Sequence, residues 1–399
     1  MPMYPLKILI YGCKRTKVFY IQQCYKRIGI ILRRAGSWHF ICNSCYPLVD
    51  AMTDVIFRYN PTSLSIILNR PEAINSLTVE MIDAILGALM HALNDESIHF
   101  VVIYGNGSKG FCAGGDIKKL FQASVRGDSN YIKEFYSKEY ALDYTIHTFP
   151  KPVIVFAHGI TMGGGLGLAA GATRVVVTEH TVMAMPESRI GFFPDVGSTG
   201  WLFTKCKKGY PKYLALTGDE LNGAECVHVG LAHNQVLSHM LPQCINELES
   251  LTSTNEDIHQ EIERIVLKYA NPVQSNHNQK DEWVCQYFDT DMPLESILQS
   301  LAQCSTEHEL CSGVFTRIAE RSPTSLVMTD LLLEANKGKA LEEVFARELK
   351  AAIFMTQHHD YREGVRARII DKDNNPRWNP NNIDDVDVDE LQKVVATAL

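Results

Sequence analysis

Two carboxylates stand in a largely apolar stretch of the chain and are candidates for acid–base chemistry. The segment MAMPESRIGFFPDVGSTG, residues 183–200, places Glu187 and Asp195 eight residues apart, each directly after a proline. Taking an ionised carboxylate out of water is costly unless the group is paired or hydrogen-bonded. The two acids therefore either face solvent from loops or face a pocket and take part in a reaction.

Two glycine-rich turns upstream could supply the electrostatic part of such a reaction. FCAGGD, residues 111–116, and MGGG, residues 162–165, each follow a predicted strand and precede a predicted helix. A helix N-terminus behind a glycine turn offers unpaired backbone N–H groups. Two such turns that converge on one oxygen would form an oxyanion hole. Each motif alone is equally consistent with a tight turn.

A third glycine motif and three histidines give only weak support for a dinucleotide site or a metal site. GNGSKG, residues 105–110, matches the G-x-G-x-x-G pattern of dinucleotide sites. The residues that follow it, 111–116, are still loop-like, so a helix would begin too late for that motif, and a turn is the better interpretation. His158, His358 and His359 lack metal-ligand spacing, and we expect no metal site.

The elements that would position these motifs alternate between strands and helices. Residues 100–105, 151–159 and 173–179 are apolar and rich in β-branched side chains, which predicts strands. Helices are predicted after Thr78, a suitable N-cap, and from Asp116. Strands that alternate with helices predict an α/β fold.

The order of the motifs resembles a known superfamily. FCAGGDI, KPVIVFAHGITMGGG, MPES and FPDVG together resemble the enoyl-CoA hydratase/isomerase (crotonase) superfamily, from about Met52 to Pro380. The resemblance implies an α/β, crotonase-like spiral of ββα units with a helical C-terminal region. It also implies an acyl-CoA thioester ligand, whose carbonyl oxygen is held by two backbone N–H groups.

The resemblance also implies which residues bind the thioester. The oxyanion-hole donors fall on the backbone N–H groups of Gly115 and Gly164. Ala113 and Gly114, in the same turn as Gly115, are expected to bind the substrate. The first catalytic glutamate of hydratases falls on Gly167, which cannot do acid–base chemistry.

One branch of the superfamily is more similar than the hydratases. The 3-hydroxyisobutyryl-CoA hydrolase branch shares HGITMGGG, MPE, FPDVG and a closing HDYREGVRARIIDKDNNPRWNP, residues 359–380. That resemblance implies that Glu187 and Asp195 are the catalytic pair and that Glu139 contacts the substrate. The stretch GSTGW departs from the glycine run often found after FPDVG, which leaves the acyl group open.

The implied activity is hydrolysis of a short-chain 3-hydroxyacyl-CoA, foremost 3-hydroxyisobutyryl-CoA to 3-hydroxyisobutyrate and CoA in valine catabolism. An enoyl-CoA hydratase or isomerase acting on a short or medium acyl-CoA is the alternative. A non-enzymatic acyl-CoA or nucleotide-binding protein is a third interpretation. In the hydrolase, Glu187 could attack the carbonyl or activate water. We expect no cofactor, because coenzyme A is part of the substrate.

Composition and charge restrict the partners. The 399 residues are 46% hydrophobic and 21% charged, and no apolar run of about 18 residues indicates a membrane span. Residues 1–49 hold eight basic and no acidic side chains, which leaves the rest with 30 basic against 46 acidic and a net charge of −16. An acidic body argues against nucleic acid. The expected partner is the acyl-CoA, and the oligomeric state stays open.

The sequence predicts four segments and a compartment. They are a basic N-terminal extension or transit segment at 1–51, the ββα spiral core at 52–235, a helical region that completes the acyl-CoA site at 236–380, and an acidic peripheral tail at 381–399. An odd count of 11 cysteines with irregular spacing predicts reduced thiols and an intracellular, cytoplasmic protein. The alternative compartment is the mitochondrial matrix, if residues 1–51 are a transit peptide.

Overall fold

The structure, a computed structural model, describes most of the chain in two separate units. Side chains are described for residues 53–252, 257–273, 279–305 and 309–396, and the backbone alone for 8–13, 16–23, 27–34, 37–42 and 278. In the first unit, β1 (Ile8–Cys13), β2 (Thr16–Gln23), β3 (Arg27–Arg34) and β4 (Ser37–Cys42) form an antiparallel sheet in that order. The rest of 1–51 lies outside the described part, so its role as an extension or transit segment stays a prediction.

The second unit, Thr53–Leu399, carries the candidate site. Its strands are β5 (Val55–Tyr59), β6 (Ser63–Leu68), β7 (Phe100–Gly105), β8 (Gly110–Cys112), β9 (Val153–Ala157), β10 (Ile160–Met162), β11 (Arg174–Val177), β12 (Val182–Ala184), β13 (Leu221–Asn222) and β14 (Asn234–Gln235). Its helices are α1 (Val79–Asn94), α2 (Ile117–Arg126), α3 (Ser129–His147), α4 (Gly164–Ala170), α5 (Ser198–Lys205), α6 (Tyr210–Thr217), α7 (Gly223–Val229), α8 (Leu241–Glu249), α9 (Ile258–Tyr269), α10 (Asn278–Tyr287), α11 (Leu294–Cys304), α12 (Glu309–Ala319), α13 (Pro323–Asn336), α14 (Leu341–Gln357), α15 (His359–Val365) and α16 (Val388–Ala396). The predicted boundaries at 235/236 and 380/381 within this unit stay predictions.

Two sheets give the second unit its spiral form. One has the order β14-β11-β9-β7-β6-β5 and the other the order β13-β12-β10-β8. The chain passes from β7 to β8, from β9 to β10 and from β11 to β12, so each turn of the spiral adds one strand to each sheet. The strands added in this way are parallel to their neighbours within each sheet. The predicted α/β spiral of ββα units is confirmed.

The apolar strands are buried on both faces of the larger sheet. Val101 and Ile103 of β7 pack into the main core, whereas Phe100 and Val102 pack into a second core that α8 and α9 cover. Successive side chains of a strand point to opposite faces, so a strand covered on both sides is a continuous apolar run. The run FVVIYG therefore predicted a buried strand, and the structure confirms it.

The structure confirms the predicted starts of α1 and α2. The start of α2 also marks the end of the first glycine turn of the site. The Thr78 hydroxyl accepts a hydrogen bond of 3.2 Å from the backbone of Met81, and Asp116 caps α2 by accepting one of 3.3 Å from the backbone of Lys119. Such caps stabilise a helix by about 1 kcal/mol. Asp116 follows Gly115 directly, so the cap fixes the turn that holds the predicted oxyanion-hole donor.

Two expectations about the C-terminal half are wrong. The acidic tail is packed rather than peripheral over α16, because Leu391 and Val395 recur one turn apart and are buried. These two apolar residues lie on one face of the helix. The prediction of a peripheral tail rested on the number of acidic residues and overlooked this spacing. Not all thiols are reduced, since Cys304 and Cys311, at the facing ends of α11 and α12, form a disulfide.

Candidate active site

One cavity of the second unit collects every residue that the sequence predicted for the site. Its volume is about 280 Å³, and its walls include apolar side chains of α2, of α3 and of the segment after β12. The predicted residues that line it are Ala113, Gly114, Gly115, Glu139, Gly164, Glu187 and Asp195. Their chemical roles stay predictions, but their convergence in space is a finding.

The two glycine turns lie against each other at one end of the cavity. Gly164 is the first residue of α4, so its backbone N–H has no acceptor within the helix. Gly114 and Gly163 have φ angles of 96° and 51°, which a residue with a Cβ rarely adopts. A methyl group placed on Gly114 would lie 3.1 Å from the backbone nitrogen of Gly164. The turns after β8 and β10 are therefore in contact, and Gly115 and Gly164 line the same cavity, as an oxyanion hole requires.

Glu139 of α3 reaches these turns with its carboxyl group. A methyl group on Gly115 would lie 3.6 Å from Glu139 Oε1, and one on Gly164 would collide with the same oxygen. Glu139 is buried, and burial raises its pKa well above the usual range, with a further increase from the nearby Asp195. The raised pKa favours the protonated form of Glu139, which can donate a proton or a hydrogen bond to a ligand bound at the glycine turns.

Glu187 begins a short 3₁₀ helix, Glu187–Ile190, directly after β12 and Pro186. Its side chain is buried, and within the described residues its Oε2 has no hydrogen-bond partner. A methyl group on Gly163 would lie 2.8 Å from its Oε1, so the carboxyl group stands beside the second glycine turn. Burial, and then the charge of Asp195, raise the pKa of Glu187 well above its usual value. An unpartnered buried carboxyl group in a cavity is available for chemistry.

Asp195 is held by a tyrosine. The Tyr140 hydroxyl donates a hydrogen bond of 2.7 Å to its Oδ2. Burial raises the pKa of Asp195 to about 7, and the Tyr140 bond opposes that increase because it favours the ionised form. Phe192 stacks on Phe193, with ring centroids 4.7 Å apart, and on Tyr136 at 5.6 Å. Tyr136 and Phe192 line the same cavity as both acids, so their rings add apolar surface to it.

Position 167, where hydratases place a glutamate, has no space for one. A methyl group on Gly167 would lie 2.8 Å from Cβ of Val196 and 3.0 Å from Oδ2 of Asp143. Asp143 is fully buried, and both of its carboxyl oxygens lack partners in the described part of the chain. Burial and the charge of Glu139 raise the pKa of Asp143 well above its usual range. The raised pKa favours the protonated form of Asp143, and the residue lies behind the residues that line the cavity.

A further acid supports the site from the C-terminal helices. Glu348 of α14 accepts hydrogen bonds from the backbone of Gly197 at 2.6 Å and of Thr199 at 3.1 Å, and one of 2.5 Å from the Thr199 hydroxyl. These are amides of the first turn of α5 and the residue before it, just after FPDV. Burial raises the pKa of Glu348 to about 8. The contact ties the helical region to the loop that carries Asp195.

The sequence reasoning did not find Asp143, Glu348 or Tyr140. Asp143 had a signal, since it follows Glu139 by four residues and so lies on the same face of α3. Tyr140 had none, because its partner is 55 residues away. Glu348 had none either, since it meets the loop after Asp195 across 151 residues.

Comparison with known proteins identifies the class. A sequence model of the family described as enoyl-CoA hydratase/isomerase matches residues 63–395. The chain belongs to this family, the crotonase superfamily, and the resemblance of the motifs is confirmed.

Within the superfamily, the similar curated proteins belong to the predicted branch. The mitochondrial 3-hydroxyisobutyryl-CoA hydrolase of Gallus gallus is 34% identical, over 84% of this chain and 87% of its own length. The mitochondrial enzyme of the same name from Homo sapiens is 33% identical, over 86% and 88%. The mitochondrial 3-hydroxyisobutyryl-CoA hydrolase-like protein 1 of Arabidopsis thaliana is 31% identical, over 91% and 92%.

Similar solved structures have the same fold but other names. A carnitinyl-CoA dehydratase from Mycobacterium thermoresistibile has a TM-score of 0.78 and 29% identity, over 86% of this chain and 97% of its own. An enoyl-CoA hydratase from Rhodobacter sphaeroides has a TM-score of 0.77 and 30% identity over the same shares. The names of the relatives thus point to two reactions, hydrolysis of a thioester and hydration or dehydration of an acyl-CoA. The positions of the acids in the cavity distinguish between the two.

Proposed function

We propose that this protein hydrolyses the thioester of short-chain 3-hydroxyacyl-CoA, foremost 3-hydroxyisobutyryl-CoA to 3-hydroxyisobutyrate and CoA. One observation carries the proposal. The buried Glu187 carboxyl, one oxygen of which has no partner among the described residues, shares a cavity with Gly115 and Gly164. The names of the curated relatives support this acyl group, and valine catabolism is the setting that those names imply.

The proposed reaction follows from the geometry. The thioester carbonyl oxygen accepts hydrogen bonds from Gly115 and Gly164, which stabilise the negative charge of the tetrahedral intermediate. An oxygen adds to the carbonyl carbon, the C–S bond breaks, and the CoA thiolate takes a proton. The oxygen comes either from Glu187, giving a mixed anhydride that water then opens, or from a water that Glu187 deprotonates. Both routes consume one water and release one carboxylate, one thiol and one proton.

Glu139 and Asp195 would transfer protons and bind the hydroxyl group of the substrate. The raised pKa of Glu139 favours its protonated form, which would donate a proton toward the thioester end of the ligand. Asp195, with a pKa of about 7 and oriented by Tyr140, would bind the 3-hydroxyl group or position the attacking group. The proposed chemistry requires no metal and no cofactor, because CoA enters as part of the substrate.

Hydration of an enoyl-CoA is the weaker candidate, although solved relatives carry that name. The family reaction uses two carboxylates, one of them at the position of Gly167, and this chain has neither an acid nor the space for one there. Asp143, the acid nearest to that position, lies behind the cavity lining rather than in it.

We further propose that the enzyme works in mitochondria. The curated relatives are named as mitochondrial proteins, and none of the comparisons supports the cytoplasmic expectation. A role of residues 1–51 as a transit peptide would account for the basic composition of residues 1–49, which hold no acidic side chain. Among the helices that the structure describes, none has the length and apolarity to cross a membrane.

The test is thiol release from a panel of acyl-CoA thioesters, followed with a thiol-reactive dye. The panel contains 3-hydroxyisobutyryl-, 3-hydroxypropionyl- and crotonyl-CoA. Rapid release from the 3-hydroxyacyl members supports the proposal. Loss of the crotonyl double bond without thiol release would move the protein to the hydratase side of the family.

A further inference from the structure

Three polar side chains form a line along one face of α3. Glu139, Asp143 and His147 follow one another at intervals of four residues, which places them about one helical turn apart on the same face. Glu139 lies in the wall of the catalytic cavity, and Asp143 is fully buried behind that wall. His147 is the last residue of the helix and is only half-buried. The line therefore leads from the cavity toward the surface.

The backbone of α4 faces this line with glycines. Each polar side chain lies against one glycine of α4 or of its C-cap: Glu139 against Gly164, Asp143 against Gly167 and His147 against Gly171. A methyl group at position 167 would lie 3.0 Å from Oδ2 of Asp143, and one at position 171 would lie 3.0 Å from Cδ2 of His147. Because glycine has no Cβ, α4 places no side chain in the space along the line.

The middle and outer members of the line have polar atoms that no described group satisfies. Both carboxyl oxygens of Asp143 and the Nε2 atom of His147 are buried without a hydrogen-bond partner among the described residues. Each such atom costs about 1–3 kcal/mol, and most buried polar atoms are paired with protein or water. A water molecule between two of these groups would satisfy both and would connect them for proton transfer.

The surroundings of the line favour neutral groups on it. Burial, and then the charges of nearby acids, raise the pKa of Asp143 well above its usual range; the acids are Glu139, Asp195 and Glu348. Burial and the charge of Lys205, at the end of α5, lower the pKa of His147 to about 4. The favoured forms at neutral pH are a protonated Asp143, which can donate a proton, and a neutral imidazole, which can accept one.

We propose that Asp143 and His147 form a proton relay between Glu139 in the cavity and the solvent. Neither relay residue touches the substrate, and both act through Glu139. One carboxyl oxygen of Asp143 accepts a proton from Glu139 while the other gives a proton to Nε2 of His147, each through a bridging water. Asp143 is thus protonated before and after the transfer. The imidazolium then releases a proton to solvent from Nδ1, the other ring nitrogen.

The task of the relay rests on the proposed function. The water consumed in hydrolysis brings two protons. One restores the Glu139 carboxyl after that group has protonated the CoA thiolate, and the other has to leave. Glu139 is 3% exposed, so a ligand in the cavity would separate it from bulk water. The relay would carry the second proton out behind the ligand.

The first test measures kcat, kcat/KM and the solvent deuterium isotope effect on kcat for CoA release. Asp143→Asn and His147→Gln keep the approximate size of the side chains but cannot pass a proton. The control is His91→Gln, an exposed histidine in the last turn of α1. Both relay variants should lower kcat by about 10² and raise the isotope effect, while kcat/KM stays close to that of the wild type. Unchanged kcat in both variants, or a fall in kcat/KM without a larger isotope effect, contradicts the relay.

Added imidazole distinguishes a lost proton acceptor from a lost packing contact. In His147→Ala, imidazole in the buffer can accept the proton at the end of α3, so kcat should rise with its concentration. Sodium chloride at the same ionic strength should have no effect. Asp143→Asn should not respond to imidazole, because its relay is interrupted deeper in the protein. An equal response of both variants, or none in His147→Ala, contradicts the proposed order of the groups.

A measurement without substrate separates the relay from the proposed function, which fails if the wild type cleaves no thioester. Infrared spectroscopy after transfer into heavy water follows deuterium exchange of the protonated Asp143 carboxyl, whose band Asp143→Asn removes. Glu139→Gln closes the cavity end of the line. Addition of His147→Gln to that variant should slow the exchange by about tenfold or more, since only local opening of the structure remains. Equal exchange rates in Glu139→Gln and in the double variant would show that no relay passes through His147.

Discussion

The Tyr140 hydroxyl donates a hydrogen bond of 2.7 Å to Oδ2 of Asp195, which ties α3 to the loop that carries one acid of the predicted pair. The same helix turn holds Glu139, so α3 positions two of the carboxyl groups in the cavity. Because burial raises the pKa of Asp195 to about 7 and Tyr140 opposes that increase, the bond keeps the acid titrating near neutrality.

Removal of the Tyr140 hydroxyl should therefore move the pH dependence. In Tyr140→Phe, Asp195 loses a donor that favours its ionised form, so its pKa rises. If the ionised form is active, kcat/KM increases with pH through about 7 in the wild type. That limb should shift to higher pH in the variant, and activity at neutral pH should fall by about tenfold. Tyr144→Phe, one turn further along α3, is the control. An unmoved limb in Tyr140→Phe would show that the hydrogen bond does not tune the reaction.

Ionisation of the buried Asp195 should also lower the free energy of unfolding at high pH. Its native pKa of about 7 lies above the ordinary 3.8, so over this range the native state holds a proton that the unfolded chain has lost. Stability then falls as the pH rises from about 4 to 7. Asp195→Asn removes this titration and should unfold with about 1–3 kcal/mol more free energy than the wild type at pH 8, but not at pH 4. Urea unfolding at both values measures it, with the exposed Glu96→Gln as control. A gain that is equal at both pH values contradicts the assignment.

A methyl group at Gly115 should disturb the oxyanion hole. It would lie 2.8 Å from Cζ of Phe135, so either the buried ring or the turn has to move, and a movement of the turn displaces the backbone amide. We expect Gly115→Ala to lower kcat by about 10²–10³, the usual effect of losing one oxyanion donor. Gly87→Ala is the matched control, since Gly87 lies in α1 with no atom within 4 Å of the added methyl. That control should gain about 0.5–1 kcal/mol in stability and keep full activity. Wild-type kcat in a folded Gly115→Ala would remove Gly115 from the oxyanion hole.

Loss of the Glu348 carboxyl should destabilise the loop after Asp195. In Glu348→Ala the buried amides of Gly197 and Thr199 lose their acceptors, which should cost about 3 kcal/mol in free energy of unfolding. Glu348→Gln keeps one acceptor oxygen and should cost less. The denaturation midpoints of the three proteins in urea test the order. The account of this contact fails if the Ala variant is as stable as the wild type.

The sequence was most informative where a single segment contains the whole signal. The strand VIVFA, Val153–Ala157, was readable because all its side chains are buried and apolar. The turns around Gly115 and Gly164 were readable because glycine is required by the backbone there. Asp143 could have been predicted from the sequence, because it lies one helical turn from Glu139.

The rest depends on contacts between distant segments. Glu348 meets Gly197 across 151 residues, and nothing in the sequence near either residue indicates the other. Arg189 and Arg368 line one cavity although they lie far apart in the sequence. The many acidic residues of the C-terminal tail also led to the wrong prediction that it is peripheral. The tail contains the apolar face of α16, on which Leu391 is buried.

The central claim is that the Glu187 carboxyl performs thioester hydrolysis in this cavity. The most direct test is the rate of CoA release from 3-hydroxyisobutyryl-CoA by wild type and by Glu187→Gln, which keeps size and shape but cannot act as nucleophile or base. The account predicts that kcat falls by about 10³ or more in the variant, while KM and the unfolding transition change little. A Glu187→Gln protein that releases CoA at a rate close to that of the wild type would contradict the account.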